Sequence, residues 1–168
     1  MKNIVSLLLL LLFISSCGSK KSVPLKNGVI TSSEITKSSS YKQIDNIIDD
    51  AMRYEGTRYK YGGTTKSGMD CSGLVYVVFK ENNIPLPRVS RDIAKRGTKI
   101  VLKKAKEGDL LFFQTNKNRN VINHVGLVIS VKGEIVTFIH SSTSRGVIIS
   151  TMDENYWKGA FVAVRRII

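Results

Sequence analysis

Apolar positions change their spacing half-way along the chain, and that change organises everything else. Between residues 41 and 55, Ile44, Ile47, Ile48, Ala51 and Met52 recur at three- and four-residue intervals, the repeat of one helical face. Gly56 follows, where a left-handed residue ends such a helix. After a polar loop rich in Tyr, Gly and Thr comes the apolar block Leu74, Val75, Val77, Val78 and Phe79. Its β-branched residues favour a strand. Asp70 or Ser72 as a cap, and "ENN" before Pro85 as a stop, favour a helix, which is the reading adopted. Residues 90–96 read as a short basic helix. Beyond them lie "GDLLFFQ" (108–114), "HVGLVISV" (124–131), "EIVTFIH" (134–140), "GVIIS" (146–150) and "FVAVRRI" (161–167). These are short, β-branched or aromatic, and separated by polar turns, as antiparallel strands are. Helices first and strands afterwards predict an α+β fold.

The N-terminal stretch follows other rules. A basic start at Lys2, an apolar run from Ile4 to Ile14 and small residues up to Cys17 have the layout of an export signal. The run falls short of the roughly 20 residues a spanning helix needs. Residues 18–40 are dominated by Ser, Thr and Lys, without aromatics or apolar period. They read as a flexible tether with a reach on the order of 25–30 Å. Residues 41–168 are then one folded domain.

Charge narrows the partners. The chain carries 26 Lys+Arg against 13 Asp+Glu, a net +13, which suits anionic partners such as nucleic acid, acidic lipid or a carboxylate-rich polymer. Export and the lack of a recognisable nucleic-acid module argue against nucleic acid, leaving wall polymer and membrane surface.

Candidate chemistry gathers on few residues. The chain has two cysteines and two histidines. If Cys17 is processed with the leader, Cys71 is a lone thiol in an exported protein, where thiols otherwise pair. It stands at the expected start of the second helix, whose N-terminal dipole favours a thiolate. His124 begins one strand and His140 ends the next. A three-residue loop at Val131-Lys132-Gly133 would pair residues whose numbers sum to 264, setting His124 directly opposite His140 on one face. A two-residue turn would split them between faces. A nucleophile, a base and a group orienting the base form a catalytic triad. The competing use of one Cys and two His, an open zinc site, has no fourth ligand at suitable spacing, so neither metal nor cofactor is expected.

Six blocks in order, "YKYGG" (59–63), "MDCSGLVYVVF" (69–79), "IPLPRVS" (84–90), "GDLLFF" (108–113), "NHVGLVI" (123–129) and "FIHSS" (138–142), resemble the NlpC family of bacterial cell-wall cysteine peptidases, which are papain-like in fold. The likeness spans roughly residues 41–165. It implies Cys71 as nucleophile, His124 as base and His140 as third residue, with the Tyr61 hydroxyl near the thiol. It implies that Asp70 and Ser72 contact a bound stem peptide. Arg88 and Arg91 are candidates for attracting substrate carboxylates, against a plain solvated basic face. The implied reaction is hydrolysis of amide bonds in peptidoglycan stem peptides or their crosslinks. Alternatives are a non-catalytic wall-peptide-binding lipoprotein, and an amidase or acyltransferase on the same scaffold. Ile14-Ser15-Ser16-Cys17 resembles a lipobox, which implies lipid on Cys17 after loss of residues 1–16, attachment to the outer membrane facing the periplasm, and a monomeric chain.

Overall fold

The structure is a computed structural model of the chain; it describes residues 32–116 and 120–168, with side chains in the first helix from residue 38 onward. The leader, Cys17 and most of the expected tether lie outside the described residues.

Helix α1 runs Ser32–Met52. The tether expected up to Ser40 is therefore helical over its last nine positions. No Pro or Gly stands between Ser32 and Met52, and extending an existing helix avoids the cost of nucleation. As its spacing demanded, Ile47 and Ala51 are buried and Ile48 and Met52 pack beside them. Past the helix, Gly56 takes φ +79° and its N–H reaches Val147. The loop that follows contains a small hairpin, β1 (Thr64–Thr65) and β2 (Gly68–Met69). Helix α2 spans Cys71–Glu81, and α3 is a single turn, Ser90–Ile93.

The main sheet contains β3 (Thr98–Ile100), β4 (Leu110–Phe113), β5 (His124–Lys132), β6 (Ile135–Ser142), β7 (Gly146–Thr151) and β8 (Phe161–Arg166). Its order is β3-β8-β4-β5-β6-β7, with every neighbouring pair antiparallel. Both faces are buried. Val125, Leu127, Ile139 and Val147 pack under the helices with Leu74, Val75 and Val78 of α2. On the far face Leu111, Phe113, Val128, Phe138 and Val164 gather around Trp157 of a short helix α4, Asn155–Ala160. Helices on an antiparallel sheet are the α+β arrangement that the change of period predicts.

The β5–β6 register departs from expectation in an informative way. The hairpin turns through two residues, Gly133 and Glu134, with Gly133 at φ +60°, the position a type II′ turn reserves for glycine. Near the turn, Lys132 pairs with Ile135 and Ser130 with Thr137, so paired numbers sum to 267. An odd sum would send the two histidines to opposite faces. An irregularity between Val128 and Ser130 then shifts the ladder, and Val128 pairs with Phe138 and Leu127 with Ile139, a sum of 266. One unpaired residue thus restores the parity that the turn removes. His124 and His140 end as diagonal neighbours on one face, not as a directly opposed pair.

Candidate active site

Cys71 is the first residue of α2 because Asp70 caps it: the Asp70 carboxylate accepts the Gly73 N–H at 2.7 Å from extended backbone, as an N-cap does. A second N–H, from Gly62, reaches the other carboxylate oxygen at 2.7 Å. Gly62 (φ +72°) sits in a turn closed by Gly63 N–H to Lys60 O, 2.9 Å. One side chain therefore ties the incoming loop to the first turn of the helix. The loop and helix also touch directly, since a Cβ on Gly73 would collide with the Gly63 carbonyl oxygen.

Arg88 locks this junction. Its Nη1 donates to Asp70 Oδ1 (2.9 Å) and Ser72 Oγ (2.9 Å), and its Nη2 to Asp70 Oδ2 (2.8 Å) and Gly63 O (3.2 Å). Burial raises the Asp70 carboxyl, but the Arg88 guanidinium and the N–H groups of Gly73 and Gly62 outweigh it and hold the group below the usual range. Asp70, Ser72 and Arg88 line the cleft around Cys71, yet their polar atoms are spent on one another. The expectation that Arg88 is either a free cation for substrate or a solvated surface charge meets a third outcome: all four Nη–H donors are used internally.

The thiol lies against the backbone on either side of His124. Sγ is 3.9 Å from the carbonyl oxygen of Asn123, and the Val125 N–H faces it. Asn123 is fixed by its own side chain, which accepts the Thr115 N–H at 2.8 Å and donates to Thr115 Oγ1 at 2.9 Å.

Behind this point runs a buried chain of polar groups. His124 Nε2 and His140 Nδ1 are 3.0 Å apart, and His140 Nε2 is 3.2 Å from Ser150 Oγ. Trp157 stacks on His124 at 5.3 Å and meets His140 edge-on at 4.6 Å, while Phe113 and Phe138 close the sides. Sequence reasoning missed Ser150; it lies on β7, and its role depends on β6–β7 pairing, which no local motif announces.

Burial sets the protonation states. It pushes the Cys71 thiol up to about 11, with Asp70 adding to the rise against the N–H groups of Val125, Ser72 and Cys71 itself. It pushes His124 down to about 4, and His140 down to about 3, where His124 and Arg145 contribute as well. At neutral pH the resting groups are therefore a thiol and a neutral imidazole. This departs from the helix-stabilised thiolate expected from the sequence, first because the sulfur is buried. The capping carboxylate adds to this, occupying the Gly73 N–H and placing negative charge next to the sulfur.

Tyr61 needs a correction. It lines the cleft but is 88% exposed, because the turn at Gly62 swings it to the rim. The tyrosine that senses the thiol is Tyr59, whose hydroxyl is raised by burial and then by Cys71, Asp70 and Tyr61. Tyr59 lines the same cleft, which holds a volume of about 650 Å³.

Residues 56–166 match the NlpC/P60 family. The chain belongs to the NlpC/P60 family. It is 38% identical over 131 residues to the probable endopeptidase NlpC of Escherichia coli K12, covering 77% of this chain and 82% of that protein. It is 37% identical to the murein DD-endopeptidase MepS/murein LD-carboxypeptidase of the same organism, covering 73% of this chain and 62% of that one. Among solved structures, an NlpC/P60 family protein from Bacillus cereus superposes with a TM-score of 0.67 at 26% identity, covering 74% of this chain and 40% of that one. The chain thus spans less than two thirds of the latter two proteins.

Proposed function

We propose that this NlpC/P60 protein is a cysteine endopeptidase that hydrolyses amide bonds in peptidoglycan stem peptides or their crosslinks, with Cys71 as nucleophile, His124 as base and His140 as the residue that orients it. The observation that carries the reading is a thiol held against the backbone on either side of His124, the residue whose ring heads a hydrogen-bonded chain through His140 to Ser150. A purely binding cleft has no use for that chain. The relatives' printed activities, endopeptidase and murein DD-endopeptidase, support the substrate class.

For His124 to accept the thiol proton on Nδ1, its own proton must sit on Nε2 and be donated to His140 Nδ1. His140 then carries its proton on Nε2 and donates it to Ser150 Oγ. As Sγ attacks the carbonyl carbon, its proton passes to His124, and the S–C bond forms. Burial of the thiol makes this transfer simultaneous with attack, since a free thiolate is disfavoured in the resting site. Backbone N–H groups of Cys71 and Ser72, at the head of α2 and facing the sulfur, suit the developing oxyanion, with the Tyr59 hydroxyl as a further polar group. The tetrahedral adduct collapses as the C–N bond breaks and His124 protonates the leaving amine. Water, deprotonated by His124, then releases the acyl group from the thioester. The same reading takes the chain as a monomer anchored by lipid on Cys17 to the outer membrane, facing the periplasm; the "LFISSC" end of the leader (residues 12–17) supports the lipid anchor, and the absence of an acidic residue at Gly18 and Ser19 supports the outer membrane.

Incubating the intact chain and its Cys71→Ala variant with crosslinked muropeptides, with products read by mass, tests the reading. Loss of crosslinked dimers, or shortening of stems, by the wild type alone is the expected result. Binding by both proteins without product would make the chain a wall-peptide-binding module. Transfer of the acyl group to an added amine would make it an acyltransferase.

A further inference from the structure

Among the described residues, three charged side chains line the cleft: Asp70, Arg88 and Arg91. The first two cancel. Asp70 Oδ1 accepts from Arg88, Gly73 and Ser72, and Oδ2 from Arg88 and Gly62, while each Nη of Arg88 already makes two hydrogen bonds. Of the Arg88 donors only Nε–H is left without a partner in these bonds, so neither group offers a paired set of N–H donors to an incoming carboxylate. Arg91 differs on each count. It is exposed within the cleft, and it has no hydrogen bond or ion pair among the described residues. The one acid beside it in the chain, Asp92, is engaged by Lys95 at 2.7 Å. Asp92 feels Arg91 only at longer range, so among the described charged residues of the cleft Arg91 is the one whose hydrogen-bond donors are not engaged, on a guanidinium whose flat, forked set of N–H groups matches a carboxylate. Next to it the lining is apolar and exposed at Val89 and Val121, suited to the methylenes that carry such a carboxylate.

We propose that Arg91 is a specificity-determining residue that holds a free carboxylate of the peptide whose amide is presented to Cys71. The ligand class is an anionic peptide with a carboxylate on a short aliphatic arm near the scissile bond. A peptide with that carboxylate converted to a primary amide loses the paired hydrogen bonds and leaves Arg91 unanswered. This inference rests on the peptidase reading above, and its test separates the two.

The probes are stem peptides, identical except that each free carboxylate in turn (of the D-glutamyl residue, of the diamino acid, of the C-terminus) is a carboxamide. With the intact wild-type chain, amidation at one position lowers kcat/KM by roughly 10- to 100-fold, as expected for a charge-assisted pair. Arg91→Gln cuts the all-carboxylate peptide as slowly as the wild type cuts that amidated twin, and loses nothing further on the twin. The loss appears in KM, and Arg91→Lys recovers part of it. Arg91→Gln within twofold of the wild type on every peptide overturns the proposal, as does an equal loss on carboxylate and amide forms. If the wild type cuts none of the peptides, the peptidase reading fails by itself. Calorimetric binding to the intact Cys71→Ala chain, with and without Arg91→Gln, then applies the same paired comparison to Arg91.

Discussion

Replacing Arg88 by Met keeps the length of the side chain and removes its charge, and so isolates what the Asp70–Arg88 pair does. In the folded protein Asp70 is 10% exposed in its side chain and Arg88 is 32% exposed. Breaking a fully buried pair by deleting one partner costs about 3–5 kcal/mol. Here water reaches the vacated position and Asp70 keeps the N–H groups of Gly62 and Gly73, so a loss of about 2–3 kcal/mol is expected. The loss depends on pH with a defined sign. In the wild type the folded-state pKa of Asp70 is depressed, so its stabilisation is present above the unfolded value and fades only as pH falls through the folded one. Without Arg88, burial is opposed only by the Gly62 and Gly73 N–H groups and the Ser72 hydroxyl, and the carboxyl rises. Acidification then protonates Asp70 in the variant first and relieves its penalty. Urea unfolding followed by the fluorescence of Trp157, the one tryptophan of the chain, should show a gap between wild type and variant that narrows from pH 7.5 to 4.5. In an Asp70→Asn background, which preserves the cap, the Arg88→Met loss should shrink to below about 1 kcal/mol. A pH-independent loss under about 1 kcal/mol would refute the argument, because that is the range of an exposed pair.

Three further outcomes test the site. Ser150→Ala leaves His140 Nε2–H without its acceptor, and should lower kcat about 10-fold or more while KM holds, for a loss near 1–3 kcal/mol; an unchanged kcat would detach Ser150 from the base. Alkylation of Cys71 by iodoacetamide should be slow at pH 7 and climb toward the thiol value of about 11, roughly tenfold per pH unit; a plateau with a midpoint below pH 7 would show a thiolate–imidazolium pair instead. Tyr59→Phe should reduce kcat, while Tyr61→Phe, at an 88% exposed rim position, should leave it within twofold; the reverse order would restore Tyr61 to the thiol.

Much of the protein was legible from local pattern. The helical spacing from Ile44 to Met52 and the five strand segments were dictated by which side chains must be buried, and burial follows period 3.6 or 2 regardless of the partner. Asp70 and Cys71 could be placed at a helix start because capping is a contact within four residues. The family was legible from six blocks in order. What escaped depends on contacts distant in the chain. Elements of two to six residues, β1, β2, β3 and α4, are shorter than a readable period and exist because the sheet and its far-side aromatic layer hold them. The histidine pairing survived a wrong register because a bulge, which carries no sequence signature, reversed the parity set by the turn. Arg88 and Arg91 are both basic and three residues apart, and nothing local separates them. Tertiary structure decided that Arg88 spends its Nη donors on Asp70, Ser72 and Gly63 while Arg91 lines the cleft without a hydrogen bond or ion pair among the described residues. It also decided the thiol's charge: a helix N-terminus favours a thiolate from the sequence alone, but burial and the neighbouring carboxylate, set by packing, weigh more.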